Sequence, residues 1–486
     1  MGIFNFLFPN KNIKSTKINN TESKGEYLNI TDEFKNLYDE IISNPQKDFF
    51  ITGNAGTGKS TFLKWLKQRL ENTKNIAMLA PTGVAAINIK GTTPYSFFWI
   101  KPKIVITEDY INSTYFDEYF NISSKKHKKY SYQLRELLEK TDIVIIDEIS
   151  MIRRDLFKLI YNIKQKFYPH IQFILSGDLF QLPPVLTDEE KDVFIQEFKN
   201  IEDKYFFNIF DKKNNFEDFR KRFNIRNLTK NFRQNIDHKY IDILNNIREN
   251  KQSGDNLCLL NTRCINQADA KMLTITPTKK LAEQINNENL RNINSKQYEF
   301  KAILYKEEKG VFKRDPFLTE DKIENYQAPA ILRIKEGAKV MILANMLPVY
   351  SNGDIGTIKE IKDDSIVVEL DRTGKMVVLE LHTWEKIKYK LDIENKLVPV
   401  VCEKYTQFPL KLAYALTIHK AQGLTFDTIC VDFSKAPFET GMTYVALSRV
   451  KTLNGLYLTK KIEDSNILVD KNIIDFTNSI LQTQNI

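Results

Sequence analysis

Cysteine is scarce in this sequence, and long apolar runs are absent from it. Four cysteines occur among 486 residues, without a C-x-x-C pair or a His/Cys zinc spacing: Cys258, Cys264, Cys402 and Cys430. This pattern excludes a disulfide-dense scaffold and a zinc or iron–sulfur site of the usual spacing, and it predicts a reducing compartment. No stretch reaches the roughly 18 uninterrupted apolar residues of a membrane helix, so no membrane partner is expected. The apolar segment Met1–Phe8 is too short for a signal peptide.

Acidic residues are outnumbered by basic ones. The 71 Lys and Arg residues exceed the 62 Asp and Glu residues, which gives a formal net charge of +9. This excess favours a polyanionic partner without establishing one, because many lysine-rich proteins are basic for other reasons. The content of 42% hydrophobic and 27% charged residues is typical of a globular protein. A chain of this length predicts about three domains.

The most informative motif is a glycine-rich stretch with the pattern G-x-x-x-x-G-K-[ST], which binds the phosphates of a nucleoside triphosphate. It consists of Gly53, Asn54, Ala55, Gly56, Thr57, Gly58, Lys59 and Ser60. An apolar run (Phe49–Thr52) precedes it and a helical pattern (Thr61–Leu66) follows it, as the motif requires. Backbone N–H groups of the turn would surround the phosphates. Lys59 would reach the β- and γ-phosphates, and Ser60 would hold Mg²⁺.

Further apolar segments predict an α/β fold. Three of them are expected to be buried strands, at residues 76–83, 142–148 and 170–178. Continuous apolar strands that alternate with helices indicate a parallel sheet covered on both faces, with ligands at its carboxyl edge. A helix is predicted from about Leu28 to Asn44 behind a Thr31 cap. Another amphipathic helix is predicted from Met151 to Phe167, with a basic face opposite its apolar one.

The second half of the chain changes character partway along. A second α/β unit is predicted to begin near Arg226, with a strand at residues 273–278. From Ile331 to about Val401 the pattern becomes one of short strands, and Asp371–Gly374 is a hairpin-type turn between two of them. We therefore expect a small β-barrel that interrupts the second unit, which resumes from Leu410 to Leu458.

Two adjacent carboxylates, Asp147 and Glu148, end the strand predicted at residues 142–148. This is the position at which a Walker B acid meets Mg²⁺. Because adjacent residues on a strand point in opposite directions, the two carboxylates are expected to have different roles. Asp147 would coordinate Mg²⁺, and Glu148 would orient and deprotonate the attacking water.

Three more residues are candidates for sensing or neutralising the γ-phosphate. Gln181 lies just beyond the predicted strand at residues 170–178. Arg233 and Arg449 are candidate arginine fingers, because a planar guanidinium can neutralise charge on phosphoryl oxygens. Taken singly, each arginine also fits a surface residue or a salt-bridge partner, and spacing does not choose between these interpretations.

Eight motifs follow one another along the chain: Gly53–Thr61, Ala80–Ala86, Gly91–Phe98, Asp147–Met151, Gly177–Val185, Phe232–Gln234, Leu416–Gly423 and Tyr444–Arg449. The ordered set resembles the Pif-one family of 5′-to-3′ DNA helicases, in the B branch of helicase superfamily one beside RecD-type enzymes. The resemblance runs from about Ile30 to Leu458. The Asp-Glu-Ile-Ser and Gln-Leu-Pro-Pro forms argue against the 3′-to-5′ branch.

The resemblance implies an α/β fold of two RecA-like parallel-sheet domains, with ATP between them and one strand of DNA crossing both. It implies ATP-related roles for Lys59, Ser60, Asp147, Glu148, Gln181, Arg233 and Arg449, and it adds Thr61 and Gly423 to the nucleotide site. It implies DNA-contacting roles for Pro81, Thr82, Gly83, Ser96, Phe97, Thr417, His419 and Lys420. Hydroxyls and backbone N–H groups suit phosphates, and an aromatic ring or imidazole suits a base. His419 by itself also fits a structural histidine.

Two positions depart from the family pattern. A glutamine that reads adenine in the family corresponds here to Phe34, which leaves adenine selectivity open and makes other nucleoside triphosphates alternatives. The family's histidine in the Ser-Phe motif corresponds to Tyr95, which changes that DNA contact.

The resemblance also implies two insertions. Residues near 101–138, which include the basic run Lys125–Lys129, correspond to a small wedge that splits the duplex, although a charge run equally fits a solvated face. Residues 331–408 correspond to an SH3-like accessory domain. The expected division is a mobile tail at 1–26, a first RecA-like domain at 27–190, and a second at 191–330 and 409–486.

These features predict an ATP-driven, Mg²⁺-dependent 5′-to-3′ DNA helicase that translocates on single-stranded DNA. The expected partners are single-stranded and tailed duplex DNA, with G-quadruplex and RNA–DNA hybrid as further candidates, and the expected state is a monomer. One alternative is a translocase or nucleoprotein remodeller with little unwinding, and another is a helicase for RNA or RNA–DNA hybrids. The expected location is a prokaryotic cytoplasm at the nucleoid, with mitochondrion or nucleus as alternatives. Repair, recombination, replication and telomere maintenance are the processes that the resemblance suggests.

Overall fold

The structure is a computed structural model that describes residues 30–101, 103–120, 128–210, 215–230, 232, 237–265, 272–315 and 326–481. The predicted tail at residues 1–26, the basic residues Lys125–His127 and the predicted arginine finger Arg233 lie outside the described residues. Within the described ranges, no helix has the length and apolar character needed to cross a membrane.

The first half of the chain forms a five-stranded parallel sheet, in which strands at residues 76–79, 143–146, 172–176, 48–53 and 223–228 lie side by side in that order. Its elements are α1 (Asp32–Ser43), β1 (Asp48–Gly53), α2 (Lys59–Leu70), β2 (Ile76–Leu79), α3 (Gly83–Asn88), α4 (Pro94–Phe97), α5 (Phe116–Tyr119), α6 (Lys128–Glu139), β3 (Ile143–Ile146), α7 (Arg154–Phe167), β4 (Gln172–Ser176), α8 (Asp188–Phe198), α9 (Asn215–Arg222) and β5 (Phe223–Leu228). Alternate residues of β1 face two cores, with Phe49 and Ile51 in one and Phe50 in the other. The sheet is therefore covered on both faces, as predicted.

Helix α1 begins where the sequence predicts a cap. The Thr31 hydroxyl accepts a hydrogen bond from the backbone N–H of Phe34 at 3.2 Å, which satisfies one of the free donors at the helix start. Asp32 and Glu33 in the first turn favour the positive end of the helix dipole. The apolar side of the helix is buried, as its spacing predicts.

Strand β5 corrects the predicted boundary between the two units. Residues 48–53 pair in parallel with residues 223–228 along the full length of both strands. The strand around Arg226 is therefore an edge of the first sheet, and the prediction that a second unit begins there is wrong. The first sheet extends past the predicted boundary at residue 190. Three of the six side chains of β5 are only half-buried, so this strand lacks the continuous apolar pattern of its neighbours.

Two basic side chains at helix α7, which was predicted to have a basic face, are buried in ion pairs. Lys164 is 5% exposed and forms an ion pair with Asp48, which is 3% exposed. Arg153, immediately before the helix, binds Asp155 at 2.8 Å and Glu190 at 2.6 Å. Lys164 and Arg153 therefore have structural partners, whereas Lys166 on the same helix is exposed.

The second half of the chain contains a second parallel sheet and a β-rich insertion. Its elements are α10 (His238–Arg248), α11 (Gly254–Asn261), β6 (Thr274–Thr276), α12 (Lys279–Arg291), β7 (Gln297–Lys301), β8 (Ile303–Glu308), β9 (Val311–Arg314), β10 (Ile331–Lys335), β11 (Lys339–Ile342), β12 (Ile355–Ile361), β13 (Ser365–Leu370), β14 (Met376–Glu380), β15 (His382–Leu391), β16 (Leu397–Gln407), β17 (Leu410–Leu412), β18 (Ala415–Thr417), α13 (Ile418–Ala421), β19 (Ile429–Val431), α14 (Met442–Leu447), β20 (Leu456–Leu458) and α15 (Lys471–Leu481). Strands β18-β6-β19-β20 form the second parallel sheet in that order.

The insertion is larger than its predicted range. One antiparallel sheet has the order β14-β13-β12-β11-β17, another has the order β15-β16-β8-β9, and β7 pairs with β10. The β-rich part therefore begins at Gln297 rather than Ile331. Strand β17, which was predicted to open the resumed α/β unit, instead pairs with β11. The predicted turn Asp371–Gly374 is confirmed: Gly374 has φ of 65°, and its N–H donates to the carbonyl oxygen of Leu370 at 2.8 Å.

The long β15–β16 hairpin reaches from the insertion to the first sheet. The Tyr389 hydroxyl accepts a hydrogen bond from the backbone N–H of Met78 at 3.0 Å, and its ring lies edge-on to Phe97 at 5.8 Å. The backbone N–H of Leu397 donates to Asn75 Oδ1 at 2.8 Å. These contacts fasten the insertion to edge strand β2.

Candidate active site

The glycine-rich loop lies between β1 and α2, as predicted. Gly56 and Gly58 have φ of 88° and 80°, in the left-handed region that favours glycine. A Cβ on Gly53 would lie 2.6 Å from the carbonyl oxygen of Leu228, so strand β5 leaves no room for a side chain there. The turn delivers the chain to the N-terminus of α2, where backbone N–H groups can bind an anion.

Lys59 folds back onto its own loop. Its Nζ donates to the carbonyl oxygens of Gly53 at 2.8 Å and Asn54 at 3.0 Å. Burial lowers the pKa of Lys59, and the negative charges of Asp178 and Glu148 oppose that shift. The amine therefore lies among carboxylates next to the loop, where it can exchange carbonyl partners for phosphate oxygens.

Asp147 and Glu148 lie directly after β3 and interact with each other. Strand β3 ends at Ile146, and Glu148 has φ of 52°. The prediction that the two side chains point in opposite directions assumed that both residues lie on a strand, and neither does. The backbone N–H of Glu148 donates to Asp147 Oδ1 at 3.0 Å. Burial, together with the charge of Asp147, raises the pKa of Glu148 to about 7. Burial also raises the pKa of Asp147, whereas a hydrogen bond from the Ser60 hydroxyl lowers it.

Two glutamines from different units meet beside Glu148. Gln181, in the first unit, is 7% exposed and accepts a hydrogen bond from Gln422 Nε2 at 3.2 Å. Gln422 follows α13 in the second unit, and its Nε2 is 3.5 Å from Glu148 Oε2. The sequence predicted a role for Gln181 but none for Gln422, although Gln422 belongs to the motif Leu416–Gly423.

A buried tyrosine connects the second unit to the phosphate loop. The Tyr444 hydroxyl, on α14, accepts a hydrogen bond from the backbone N–H of Ala55 at 3.0 Å and donates to Asp178 Oδ2 at 3.2 Å. Arg248, on α10, donates to Asp178 Oδ1 at 3.3 Å. The sequence predicted no role for these three side chains, and for Tyr444 the reason is that a single tyrosine in an apolar helix resembles a core residue. The motif Tyr444–Arg449 was the signal that could have identified it.

Arg449 lies within the second unit rather than across the cleft. It is 1% exposed, and its guanidinium donates to the carbonyl oxygens of Val445 at 2.8 Å and Leu424 at 3.1 Å. Its positive charge opposes the burial that raises the pKa of Glu148, so it lies within electrostatic range of the acid pair. Gly423, beside it, has φ of 81° and is exposed.

The predicted DNA-contacting residues follow the carboxyl ends of strands in both sheets. After β2 come Pro81, Thr82 and Gly83, whereas Thr417 is the last residue of β18 and His419 and Lys420 follow it. Thr82 and Thr417 each cap a short helix, accepting from the backbone N–H three residues on at 3.2 Å. Burial lowers the pKa of His419, which favours a neutral imidazole, and Lys420 is exposed. In each unit, these residues predicted to contact DNA therefore lie at the carboxyl edge of the parallel sheet.

Phe97 does not have the exposure that base stacking needs. It is 2% exposed, and its ring lies edge-on to Phe98 at 5.1 Å as well as to Tyr389. In this arrangement the insertion covers the ring that was predicted to contact DNA. Ser96, next to it, is exposed.

The two departures from the family pattern lie near these sites. Phe34 is 1% exposed, and its ring lies 5.3 Å from Phe62 and 6.0 Å from Phe232. Phe34 and Phe232 both border Gly58, so the side of the loop where a glutamine was expected is aromatic. Tyr95 is half-buried, and burial raises the pKa of its hydroxyl.

Comparison with known proteins gives consistent matches. Residues 29–256 match the sequence profile of the PIF1-like helicase family. The chain is 29% identical over 443 residues to the ATP-dependent DNA helicase Pif1 of Campylobacter jejuni, covering 88% of this chain and 93% of that protein. It is 30% identical over 440 residues to the ATP-dependent DNA helicase Pif1 of Bdellovibrio bacteriovorus, covering 88% of each.

Solved structures agree with these matches. Pif1 from Bacteroides sp in complex with ADP-AlF4 superposes with a TM-score of 0.77 at 32% identity, over 94% of this chain and 98% of that one. Bacteroides Pif1 bound to single-stranded DNA gives a TM-score of 0.61 at the same identity and coverage. The prediction of an α/β fold with two RecA-like parallel sheets is confirmed. The chain belongs to the PIF1-like helicase family and is an ATP-dependent DNA helicase.

Proposed function

We propose that the enzyme translocates 5′ to 3′ on single-stranded DNA and unwinds tailed duplexes by opening and closing the cleft between its two RecA-like units. The main support for this proposal is that side chains of the second unit form hydrogen bonds with the phosphate loop of the first. Tyr444 accepts a hydrogen bond from the backbone N–H of Ala55, and Asn245 Oδ1 accepts one from Asn54 Nδ2 at 2.7 Å. Phosphates that bind or leave this loop therefore change the contacts that hold the units together, which couples nucleotide state to domain distance.

The residues beside the loop fit a Mg²⁺ site. The Ser60 hydroxyl and the Asp147 carboxylate interact with each other, and oxygen donors of this kind suit Mg²⁺ when phosphates and water complete its coordination. We assign these two residues to the metal, which when bound neutralises phosphate charge. Lys59 binds phosphate oxygens. Glu148 accepts a proton from the attacking water, and Gln422 of the second unit holds the Glu148 side chain in place.

The two helix caps provide equivalent grips on DNA. Thr82 in the first unit is exposed and Thr417 in the second is 8% exposed, and each begins a helix whose N-terminal N–H groups suit phosphates. Because each unit has its own grip, a change in the distance between the units would move the strand between the two grips. The 5′-to-3′ direction rests on the family. G-quadruplexes and RNA–DNA hybrids are further proposed substrates, the proposed state is a monomer, and the bacterial relatives favour a prokaryotic cytoplasm.

The test is strand separation of matched DNA duplexes that carry either a 5′ or a 3′ single-stranded tail, with ATP and Mg²⁺, with Glu148→Gln as the control. Unwinding from the 5′ tail alone, lost in the control, is the expected result. Unwinding from the 3′ tail would overturn the polarity. DNA-stimulated ATPase activity without strand separation would identify a translocase or nucleoprotein remodeller, and an equally active 5′ RNA tail would show that the channel is not restricted to DNA.

A further inference from the structure

The last helix, α15, follows the second sheet in the chain but packs on the first unit. Three of its side chains are at most 2% exposed: Ile473, Phe476 and Ile480. The Phe476 ring stacks on Phe207 at 4.1 Å and lies 5.2 Å from Phe219, and the Phe219 ring lies 6.1 Å from Phe50 of β1. A helix of 11 residues is marginal in water by itself, so α15 depends on the first unit for its stability.

The segment before α15 is held by the second unit. The backbone N–H of Gly441, at the start of α14, donates to the carbonyl oxygen of Leu468 at 2.9 Å. Earlier in the segment, the backbone N–H of Ile462 donates to Asn261 Oδ1 at 2.8 Å. Helix α14 also carries Tyr444, which binds the phosphate loop. The chain up to Leu468 is therefore attached to the unit that contacts the phosphate loop.

The next contact with the first unit comes two residues later. The Tyr205 hydroxyl, in the first unit, donates to Asp470 Oδ2 at 2.6 Å, and Val469 alone separates Asp470 from Leu468. A fully extended chain spans at most about 3.6 Å per residue, so the Cα atoms of Leu468 and Asp470 can be no more than about 7 Å apart. The two units therefore cannot separate at this crossing while both hydrogen bonds last.

Other contacts hold the units together beside the crossing. Lys204 of the first unit pairs with Glu439 of the second at 3.2 Å, and the two side chains are 13% and 27% exposed. A Cβ on Gly441 would lie 2.6 Å from the carbonyl oxygens of Phe180 and Gln181, so the backbones of the two units touch here. Because Gln181 is the candidate sensor of the γ-phosphate, the crossing lies next to the reaction site.

The chain also passes between the units after β5, where the crossing is longer. The backbone N–H of Phe232 donates to the carbonyl oxygen of Gly56 in the first unit at 2.9 Å. Asp237 Oδ2 accepts from the backbone N–H of Leu453 in the second unit at 3.0 Å. Five residue steps join Phe232 to Asp237, which allows a span of up to about 18 Å. A unit held closely at one crossing and loosely at another can turn about the close one but cannot move away from it.

We propose that Tyr205 and Asp470 are positioning residues for ATP hydrolysis, which hold the crossing at Leu468–Asp470 as the pivot about which the second unit turns onto the phosphate loop. This inference rests on the proposed opening and closing of the cleft. The pivot lies beside Gln181 and at the start of the helix that carries Tyr444, so turning about it keeps α14 aligned with the loop at each closure. Each closure then advances the DNA by the same amount, whereas a unit free to slide would close without moving the strand.

The experiment lengthens the crossing and leaves its contacts in place. Five or ten Gly and Ser residues are inserted between Val469 and Asp470 of the full chain, so that α15 can still pack on the first unit. We expect KM for ATP at saturating single-stranded DNA to rise, because the effective concentration of tethered partners falls roughly as the −3/2 power of tether length. The tether grows from two residue steps to seven or twelve, so the largest expected rise is about sevenfold for five residues and about 15-fold for ten. The kcat should stay within about twofold of wild type, and fewer base pairs should be separated per ATP.

Two further variants accompany the insertions. Tyr205→Phe removes only the hydroxyl that donates to Asp470, and it should raise KM in the same direction by about twofold or more. The same ten residues placed between Lys309 and Gly310, an exposed turn of the β-rich insertion, are the matched control and should leave KM and the base pairs per ATP unchanged. Protection of the α15 amides from hydrogen exchange reports whether the helix remains packed. Where a lengthened variant loses this protection, Tyr205→Phe gives the answer.

The outcomes separate the pivot from the proposed function. If wild type separates no duplex with a 5′ tail, the proposed function fails. If wild type unwinds but the lengthened variants and Tyr205→Phe keep its KM and its base pairs per ATP, the pivot is refuted while the proposed function stands. A KM that rises equally in the control at Lys309 and Gly310 would also refute the pivot, because that turn lies outside the crossing.

Discussion

The pH dependence of ATP hydrolysis follows from the environment of Glu148. A general base must be ionised to accept a proton, and burial beside Asp147 raises the pKa of this carboxyl to about 7. Below that value Glu148 is neutral and inactive as a base, so activity should rise with pH. The ionised fraction is about 9% at pH 6 and about 91% at pH 8, so kcat/KM for ATP should rise about tenfold over that interval.

The assay is steady-state ATPase activity at saturating single-stranded DNA with excess Mg²⁺, from pH 6 to pH 8, reported as kcat/KM because this ratio describes groups of the free enzyme. Glu148→Gln should lower activity by about 10²–10⁴-fold and remove the rise. Glu385→Gln, an exposed carboxylate on β15 that pairs with Lys404, should keep the wild-type profile. A flat wild-type profile, or a rise that persists in Glu148→Gln, would refute this role for Glu148.

Three further substitutions test other parts of the structure. Lys164→Met leaves Asp48 buried without its partner, so the substitution should lower the free energy of unfolding by about 3–5 kcal/mol. Urea denaturation measures this loss of stability. The loss should shrink at lower pH, because burial raises the pKa of Asp48. Tyr389→Phe removes the acceptor for the Met78 N–H and should speed hydrogen exchange of that amide, a result that unchanged protection would contradict. Lys59→Ala should reduce DNA-stimulated ATPase activity to background, while nucleotide-free DNA binding stays within about twofold of wild type. If the variant hydrolyses ATP like wild type, Lys59 does not have the assigned phosphate role.

Local chemistry explains what the sequence could predict. The phosphate loop needs glycines at left-handed positions and a lysine at a set distance, and both requirements lie within eight consecutive residues. Strands β1, β3 and β4 are buried over their whole length, so their apolar runs are continuous and visible. The cap at Thr31 likewise depends on neighbours only three residues away.

Contacts between distant residues explain what the sequence could not predict. Strand β5 joins the first sheet through β1, about 170 residues earlier in the chain, and its half-buried edge has no distinctive periodicity. Tyr444 meets Ala55 across 389 positions, and although each lies in a recognisable motif, neither motif indicates that the two residues are partners.

The strand order of the second sheet has a consequence for biosynthesis. The first sheet is complete once Leu228 has been made, whereas β6 pairs with β18 and β19, which lie about 140 residues or more further along the chain. At about 5–20 residues per second, a ribosome needs about 7–28 seconds to span that gap. During this interval β6 has no partner strand, and the insertion is synthesised before the sheet that it interrupts can close. The nascent chain can therefore have a finished phosphate loop well before the surface that contacts it exists, so premature ATP binding cannot yet be coupled to movement.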